Sequence, residues 1–385
     1  MNETKATRYR RWRRRAEVAG SAAAVLTLGL VAFTPAAGWL AAHAEAFTFG
    51  WASPLRPIVT LVLFVLLLVL IWEAAALPAT IYVALRIDRA YTRQALRVGD
   101  VLGAQAIATA VVLPVALAAA LIVQLAVVVA GPVWWAAAGV LLGLALAGAL
   151  GAAPSLLARL GEVHPFTRES LARRLDDLAG RAGVPLAGIH EWRIAEPAPT
   201  SAIVTGVARG RRVLVSAELV RDWTDDEVAV VVAHELAHHA HRDLWRAWAL
   251  NAAVIAAGLF LADRVLLLMA GAASDRGPGT LATLPLTAFV AAAVWIAATP
   301  ARHAQSRRQE RRADAFALAM TGNAEAFGAA VRRLGARHLA EERPSALTRW
   351  LYFSHPPVAE RLAFAEAYRR QRAEQSPAIG SAARQ

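Results

Sequence analysis

Two blocks of this chain restrict its fold more than any other feature: PIVTLVLFVLLLVLIWEAAAL at 57–77 and VLGAQAIATAVVLPVALAAALIVQLAVVVAG at 101–131. As helices, both are long enough to cross roughly 30 Å of hydrocarbon. Similar runs raise the expected number of spans to about six, near 18–41, 57–85, 101–130, 132–152, 247–270 and 281–300. Composition agrees, with 57% of residues hydrophobic and 18% charged. The expected fold class is mostly α, a polytopic helical membrane protein. The run at 18–41 precedes Ala-His-Ala at 42–44, a signal-peptide-like cleavage pattern, but its length favours an uncleaved anchor.

The net charge of +12 sits where a membrane protein uses it. Arginines cluster in YRRWRRR (9–15), RIDRAYTRQALR (86–97) and RRQERR (307–312), flanking apolar spans as cytoplasmic loops do. The expected partner of this charge is the lipid bilayer and not nucleic acid. Counted from a cytoplasmic N-terminus, the crossings return both 153–246 and 301–385 to the cytoplasmic side. The expected organisation is a four-span membrane region at 1–152, a polar unit at 153–246, two further spans at 247–300, a helical part at 301–375 and a disordered tail at 376–385. Three ionisable residues fall inside spans. Glu73 is expected to face water, and Asp263 and Arg264 to line a polar cavity or to pair locally. Without cysteine, any metal must be held by His, Asp or Glu.

The segment 153–246 reads as α/β. Thr167 is placed to cap a helix with Leu171, Leu175 and Leu178 on its apolar face. GIHEWRIA (188–195), SAIVTGV (201–207) and RRVLVSAEL (211–219) read as strands, with Ala-Arg-Gly at 208–210 turning between the last two. Thr224-Asp-Asp-Glu227 fits a capping box for the next helix, on which Val230, Val231 and Val232 look buried. Further on, helices are expected at 302–320, ended by Gly322-Asn323, at 324–339, and at 358–374 after His355-Pro-Pro.

The capped helix carries AHELAHHAHRD, 233–243. At 100° per residue, His234 and His238 lie about 40° apart on one face, a turn apart, so both can reach one zinc ion. His239 points about 140° away, and His241 lies roughly 10 Å along the axis. Both are expected to be solvated or interfacial. Glu235 has the H-E-x-x-H position of a general base towards water at the metal. A third ligand must come from elsewhere. Glu310 and Asp314, four apart in SRRQERRADAFA (306–317), are candidates: a ligand and an orienter of a ligand histidine, or acids paired with Arg307 and Arg311. Asp243 is another candidate orienter.

HELAHH (234–239), SRRQERRAD (306–314) and SHPPVAER (354–361) resemble three signatures of the CAAX prenyl protease type of integral-membrane zinc metallopeptidase, a family that also includes the bacterial heat-shock membrane protease. LPATIYVALRIDRAYTRQ (77–94) resembles the CAAX branch, and TSAIVTGVARGRRVLVSAELV (200–220) the strand region before its H-E-x-x-H helix. The resemblance covers about 57–370. It implies a cytoplasmic zincin-like α/β catalytic unit with one Zn2+ per chain, held by His234, His238 and Glu310, with Glu235 as the base. It also implies Asp314 as a supporting residue, and His355 and Arg361 near the site, where His355 could serve the oxyanion or simply cap the last helix. The chain departs from the family at Ala237, usually Gly, and at Ser201-Ala202, usually Asn-Ala.

The function so implied is a membrane-embedded zinc metalloendopeptidase acting on peptide or protein substrates, membrane-associated or lipidated ones included. The expected location is a bacterial inner membrane, with the site on the cytoplasmic side. Alternatives are a quality-control protease for membrane proteins, a regulatory protease that cleaves one specific partner, and a non-catalytic scaffold. The last is disfavoured because Glu235 and the ligands are present.

Overall fold

A computed structural model describes residues 5–50, 53–91, 96–159, 161–193, 202–206, 210–270, 279–337, 341 and 343–375. The chain forms two compact units, one from 1–145 with 250–299 and the other from 146–249 with 300–385.

The first unit is helical. Its elements are α1 (Lys5–Phe33), α2 (Ala36–Phe47), α3 (Arg56–Tyr82), a π-helical stretch Val83–Asp88, short α4 (Arg89–Tyr91), α5 (Val98–Ala130), the start of α6 (Trp134–Ala158), most of α10 (Asp243–Ala270), and α11 (Leu284–Ala297). Phe64, Trp134, Ala24 and Ala262 are buried in it, while Leu268 and Val128 are each 81% exposed. An outer face this apolar suits lipid and not water. Small residues let the helices approach: a Cβ on Gly20 would lie 2.7 Å from the Cβ of Ala79.

By length and apolarity, four helical stretches among the described residues can cross a membrane: Lys5–Phe33, Arg56–Tyr91, Val98–Ala153 and Asp243–Met269. Leu281–Ala297 makes a fifth if continued through Thr299–Thr321. This count is below the expected six: 281–300 counts only with the helix that follows it, and Val98–Ala153 covers two of the expected spans. Gly131, at φ 52, interrupts it. Ala116 of α5 and Leu142 of α6 line one cavity, although a straight helix would separate them by roughly 39 Å. The stretch therefore folds back as two helices. The first expected span, 18–41, also needs correction. The helix stops at Phe33, and Pro35, which has no N–H to continue the ladder, precedes a separate α2.

The three ionisable residues inside the expected spans have polar partners. Glu73 accepts a hydrogen bond from Gln105. Asp263, 2% exposed, pairs with Arg264 and accepts from Trp134 Nε1 at 2.7 Å. The local pair expected for Asp263 and Arg264 is present, with an indole added.

The second unit contains a four-stranded sheet, β1 (Glu162–Pro165), β2 (Gly188–Arg193), β3 (Ala202–Thr205) and β4 (Arg212–Ser216), in the order β1-β2-β4-β3. β2 and β4 are parallel, and the other pairs antiparallel. Its helices are α7 (Glu169–Arg181), α8 (Ala217–Asp222), α9 (Asp225–Ala240), α12 (Thr299–Thr321), α13 (Ala324–Arg337), α14 (Ala346–Tyr352) and α15 (Val358–Gln375). Leu171, Leu175 and Leu178 of α7 are buried with Val213 and Val215 of β4 and Val228 and Val232 of α9. On α9's other side, Val230 and Ala233 pack with Phe327 and Val331 of α13.

Several local expectations change. Thr167 does not cap α7: Arg168 is the N-cap residue, and its side chain donates to the carbonyls of Val220 and Trp223. The strand expected at 211–219 ends at Ser216, whose Oγ accepts from the Leu219 N–H and starts α8. β1 and α14 were not expected; both are too short to show a periodicity. Val231 is half-buried, unlike Val230 and Val232. The capping box is as expected, with Thr224 Oγ1 accepting from the Glu227 N–H and Glu227 accepting from the Thr224 N–H. Gly322 ends α12 at φ 65, and Asn323 Oδ1 accepts from the Ala326 N–H to open α13. Ser201, the strand ends at 194–195 and 207, the turn at 208–209, the helix end at 338–339 and the tail at 376–385 lie outside the described residues.

The Trp134–Asp263 bond generates a test. Asp263→Ala leaves a buried indole N–H without its acceptor and should cost about 1–3 kcal/mol, whereas Asp263→Asn keeps an acceptor and should cost less. Thermal unfolding of the two variants in detergent measures this; equal midpoints would discount the bond.

Candidate metal centre

The site is built on two helices of the second unit. α9 is started by the capping box, so His234 and His238 fall on successive turns of one face. α12 sets Glu310 and Asp314 on successive turns as well, both buried. Asn323 Nδ2 donates to Asp226 Oδ2 at 3.1 Å, tying the end of α12 to the start of α9.

His234 Nε2 lies 3.3 Å from Glu310 Oε2, and His238 Nε2 lies 3.6 Å from Glu310 Oε1. One ligand atom from each of His234, His238 and Glu310 falls within 4.8 Å of the others. Donors about 2.0–2.1 Å from a tetrahedral zinc are themselves about 3.3 Å apart, so the cluster fits that ion. The second nitrogens are also accounted for. His238 Nδ1 is 3.0 Å from Asp243 Oδ2, and a proton held there leaves the Nε2 lone pair for a metal. His234 Nδ1 lies 3.0 Å from Asp314 Oδ1, although off the line of a good hydrogen bond.

Charge balance supports a dication. Arg361 forks onto Asp314 at 2.9 and 2.6 Å, and Arg312 reaches Asp243 at 2.7 Å. Asp314 and Asp243 thus have guanidinium partners, with Arg246 also near Asp243 at 3.4 Å, whereas Glu310 and Glu235 have none among the contacts described and are left to face a cation. Burial lowers the pKa of His234, but Asp314 and Glu310 outweigh it and push the imidazole up to about 9. Burial raises Glu310, but contacts with His234 and His355 bring it well below the ordinary carboxylate value. Burial also raises Asp314, which His234 and Arg361 then lower. For Glu235, burial wins over the nearby histidines and holds its carboxyl above the ordinary value, which suits a proton acceptor.

The structure brings all the expected site residues together. Arg361 acts through Asp314. His355 is 64% exposed, with Nδ1 at 3.0 Å from Glu310 Oε2. The competing pairing of Glu310 and Asp314 with Arg307 and Arg311 does not occur. Arg311 pairs with Glu360 at 2.7 Å, and Arg307 Nη1 donates to the carbonyls of Arg349 and Phe353. Arg307 thereby anchors the end of α14 and the strand of chain leading to His355, a role with no signal in the sequence. His239 and His241 are half-buried at interfaces: His239 bonds the Val204 main chain, and His241 packs against Phe316 at 5.6 Å.

The model of peptidase family M48 matches residues 165–369, a span that includes every one of these side chains. The chain belongs to peptidase family M48. It is 27% identical over 210 residues to the uncharacterized metalloprotease YhfN of Bacillus subtilis, covering 53% of this chain and 49% of that one. It is 29% identical over 194 residues to protease HtpX of Glaesserella parasuis, covering 47% of this chain and 67% of that protein. The chain thus matches about half of the length of the first relative and two thirds of the second. The crystal structure of S. mikatae Ste24p superposes with a TM-score of 0.64 at 19% identity, covering 84% of this chain and 79% of Ste24p. The two proteins share a fold.

The histidine couples metal to proton. With His234 protonated below about pH 9 in the metal-free chain, zinc must displace that proton to bind. Zinc affinity should therefore rise about tenfold per pH unit between about 6.5 and 8.5, with roughly one proton released at pH 7. Calorimetry in buffers of different ionisation enthalpy measures both. Affinity flat across that range would contradict the assigned ligand.

Proposed function

We propose that this M48 chain is a membrane-embedded zinc endopeptidase that cleaves peptide bonds at the cytoplasmic face. The observation that carries the reading is the His234–His238–Glu310 donor cluster with Glu235 beside it. His234, His238 and Glu310 hold the metal, and Asp314 and Asp243 orient the two imidazoles. Bound zinc supplies a Lewis acid that polarises a peptide carbonyl and acidifies water. Glu235 takes the proton of the attacking water and passes it to the departing amine. His355, tethered through the Arg307-anchored chain, donates to the oxygen that gains charge. β3 is a sheet edge, so the substrate backbone adds alongside Ala202–Thr205 as a further strand.

The membrane reading rests on the long apolar helices and on the arginine clusters that flank them. It gives about six crossings, an inner-membrane location and a cytoplasmic N-terminus, so that both halves of the site share one side. Substrates are peptides or proteins at the membrane. Two substrate classes compete: C-terminal processing of lipidated proteins, towards which the CAAX-like sequence signatures lean, and cleavage of membrane proteins for quality control.

The test compares the purified chain with Glu235→Ala on an unfolded protein and on a farnesylated CAAX peptide, with zinc content measured in parallel. Both proteins should bind about one zinc. The parent should cleave at least one substrate, and the variant about 1000-fold more slowly. Equal cleavage by the variant, or zinc absent from both, would contradict the proposal.

A further inference from the structure

A cavity of about 1060 Å³ opens beside the metal centre. His238 lies at one side of it, and Val204 and Gly206 bring the edge of the sheet to another. Trp245 and Trp248 form an aromatic wall, their rings at 5.9 Å and nearly perpendicular. Three charged side chains line the space: Arg211, Arg242 and Asp243. Asp243 is already committed, being buried and in contact with His238, Arg312 and Arg246. Arg242 thus brings an exposed cation to the cavity, beside a large aromatic surface.

Arg242 is the unusual member. It is the only non-glycine residue with left-handed backbone among the described residues, at φ 56. The turn itself is needed. It closes α9 after His241 and opens α10 at Asp243, whose carboxylate reaches His238 Nδ1 at 3.0 Å. Glycine makes such a turn without the clash that a Cβ brings, and asparagine tolerates it. Here the strained position holds a long cation, exposed and lining the cavity. Strain kept at a site wall points to use of the side chain.

We infer that this cavity is a specificity subsite that takes an acidic side chain of the peptide against Arg242, next to a large apolar side chain against Trp245 and Trp248. The inference rests on the endopeptidase reading and names its substrate class. A carboxylate gains more from a guanidinium on the wall of a cavity than from one in open water. The indoles supply apolar area at little conformational cost.

The test reads binding without turnover. The full-length Glu235→Ala chain, zinc-loaded in detergent, is titrated with two labelled short peptides, otherwise neutral, in which a leucine is flanked on both sides by Glu or by Gln. At low salt the Glu peptide should bind about five-fold tighter, and the preference should shrink as salt rises. R242G should cut the preference to about two-fold or less and R242E should reverse it. R242G also relaxes the backbone at φ 56, so its melting temperature should equal or exceed the parent's, which separates loss of charge from loss of fold. Equal affinities for the two peptides in the parent, or a preference that both variants leave unchanged, would overturn the inference. A parent chain that cleaves nothing would instead sink the endopeptidase reading, and that is a separate measurement.

Discussion

The structure of the second unit turns on one contact set: two imidazoles on successive turns of α9, each aimed at Glu310 by a carboxylate behind it. His238 is held by Asp243 at 3.0 Å, and His234 lies 3.0 Å from Asp314. Those carboxylates would be costly to bury alone. Arg361 of α15 and Arg312 of α12 make the burial tolerable. The metal centre is therefore the innermost layer of a charge-balanced stack. A cation belongs at its middle because Glu310 and Glu235 have no arginine of their own among the contacts described.

The scaffold serves that stack. β4 and α7 bury one side of α9, and α13 buries the other, so the helix cannot rotate its histidines away. α12 is set by Gly322 and Asn323 at one end and by Gln309 near its middle, whose Nε2 donates to the carbonyl of Asp243. Chain segments 146–249 and 300–385, separated in sequence by apolar helices, form this one unit. The membrane helices between them are thus a connection that the site depends on, whatever else they do.

Much of this was legible in the residues. A four-residue interval of histidines on a capped helix has one geometric outcome, and the Thr224–Glu227 box marks where that helix starts. The resemblance supplied Glu310, which spacing alone left open between ligand and ion pair. What escaped was either too short or too distant to leave a pattern. β1 is four residues ending in proline, and α14 is seven residues long. Pro35, itself a helix breaker, lies inside a mainly apolar run long enough to read as one span. Arg307 reads as one basic residue among several, and only the fold reveals that it holds two carbonyls more than forty residues away. His239 and Arg242 likewise gained meaning only when the sheet edge and the α9–α10 turn placed them on a cavity.

The central claim is the identity of the metal's ligands. X-ray absorption at the zinc K-edge of the zinc-loaded, full-length protein addresses it directly. The account predicts two imidazoles in the coordination shell, from His234 and His238, with the remaining donors oxygen. A third imidazole would mean that His239, His241 or His355 displaces Glu310, and a shell without imidazole would place the ion elsewhere; either result contradicts the account.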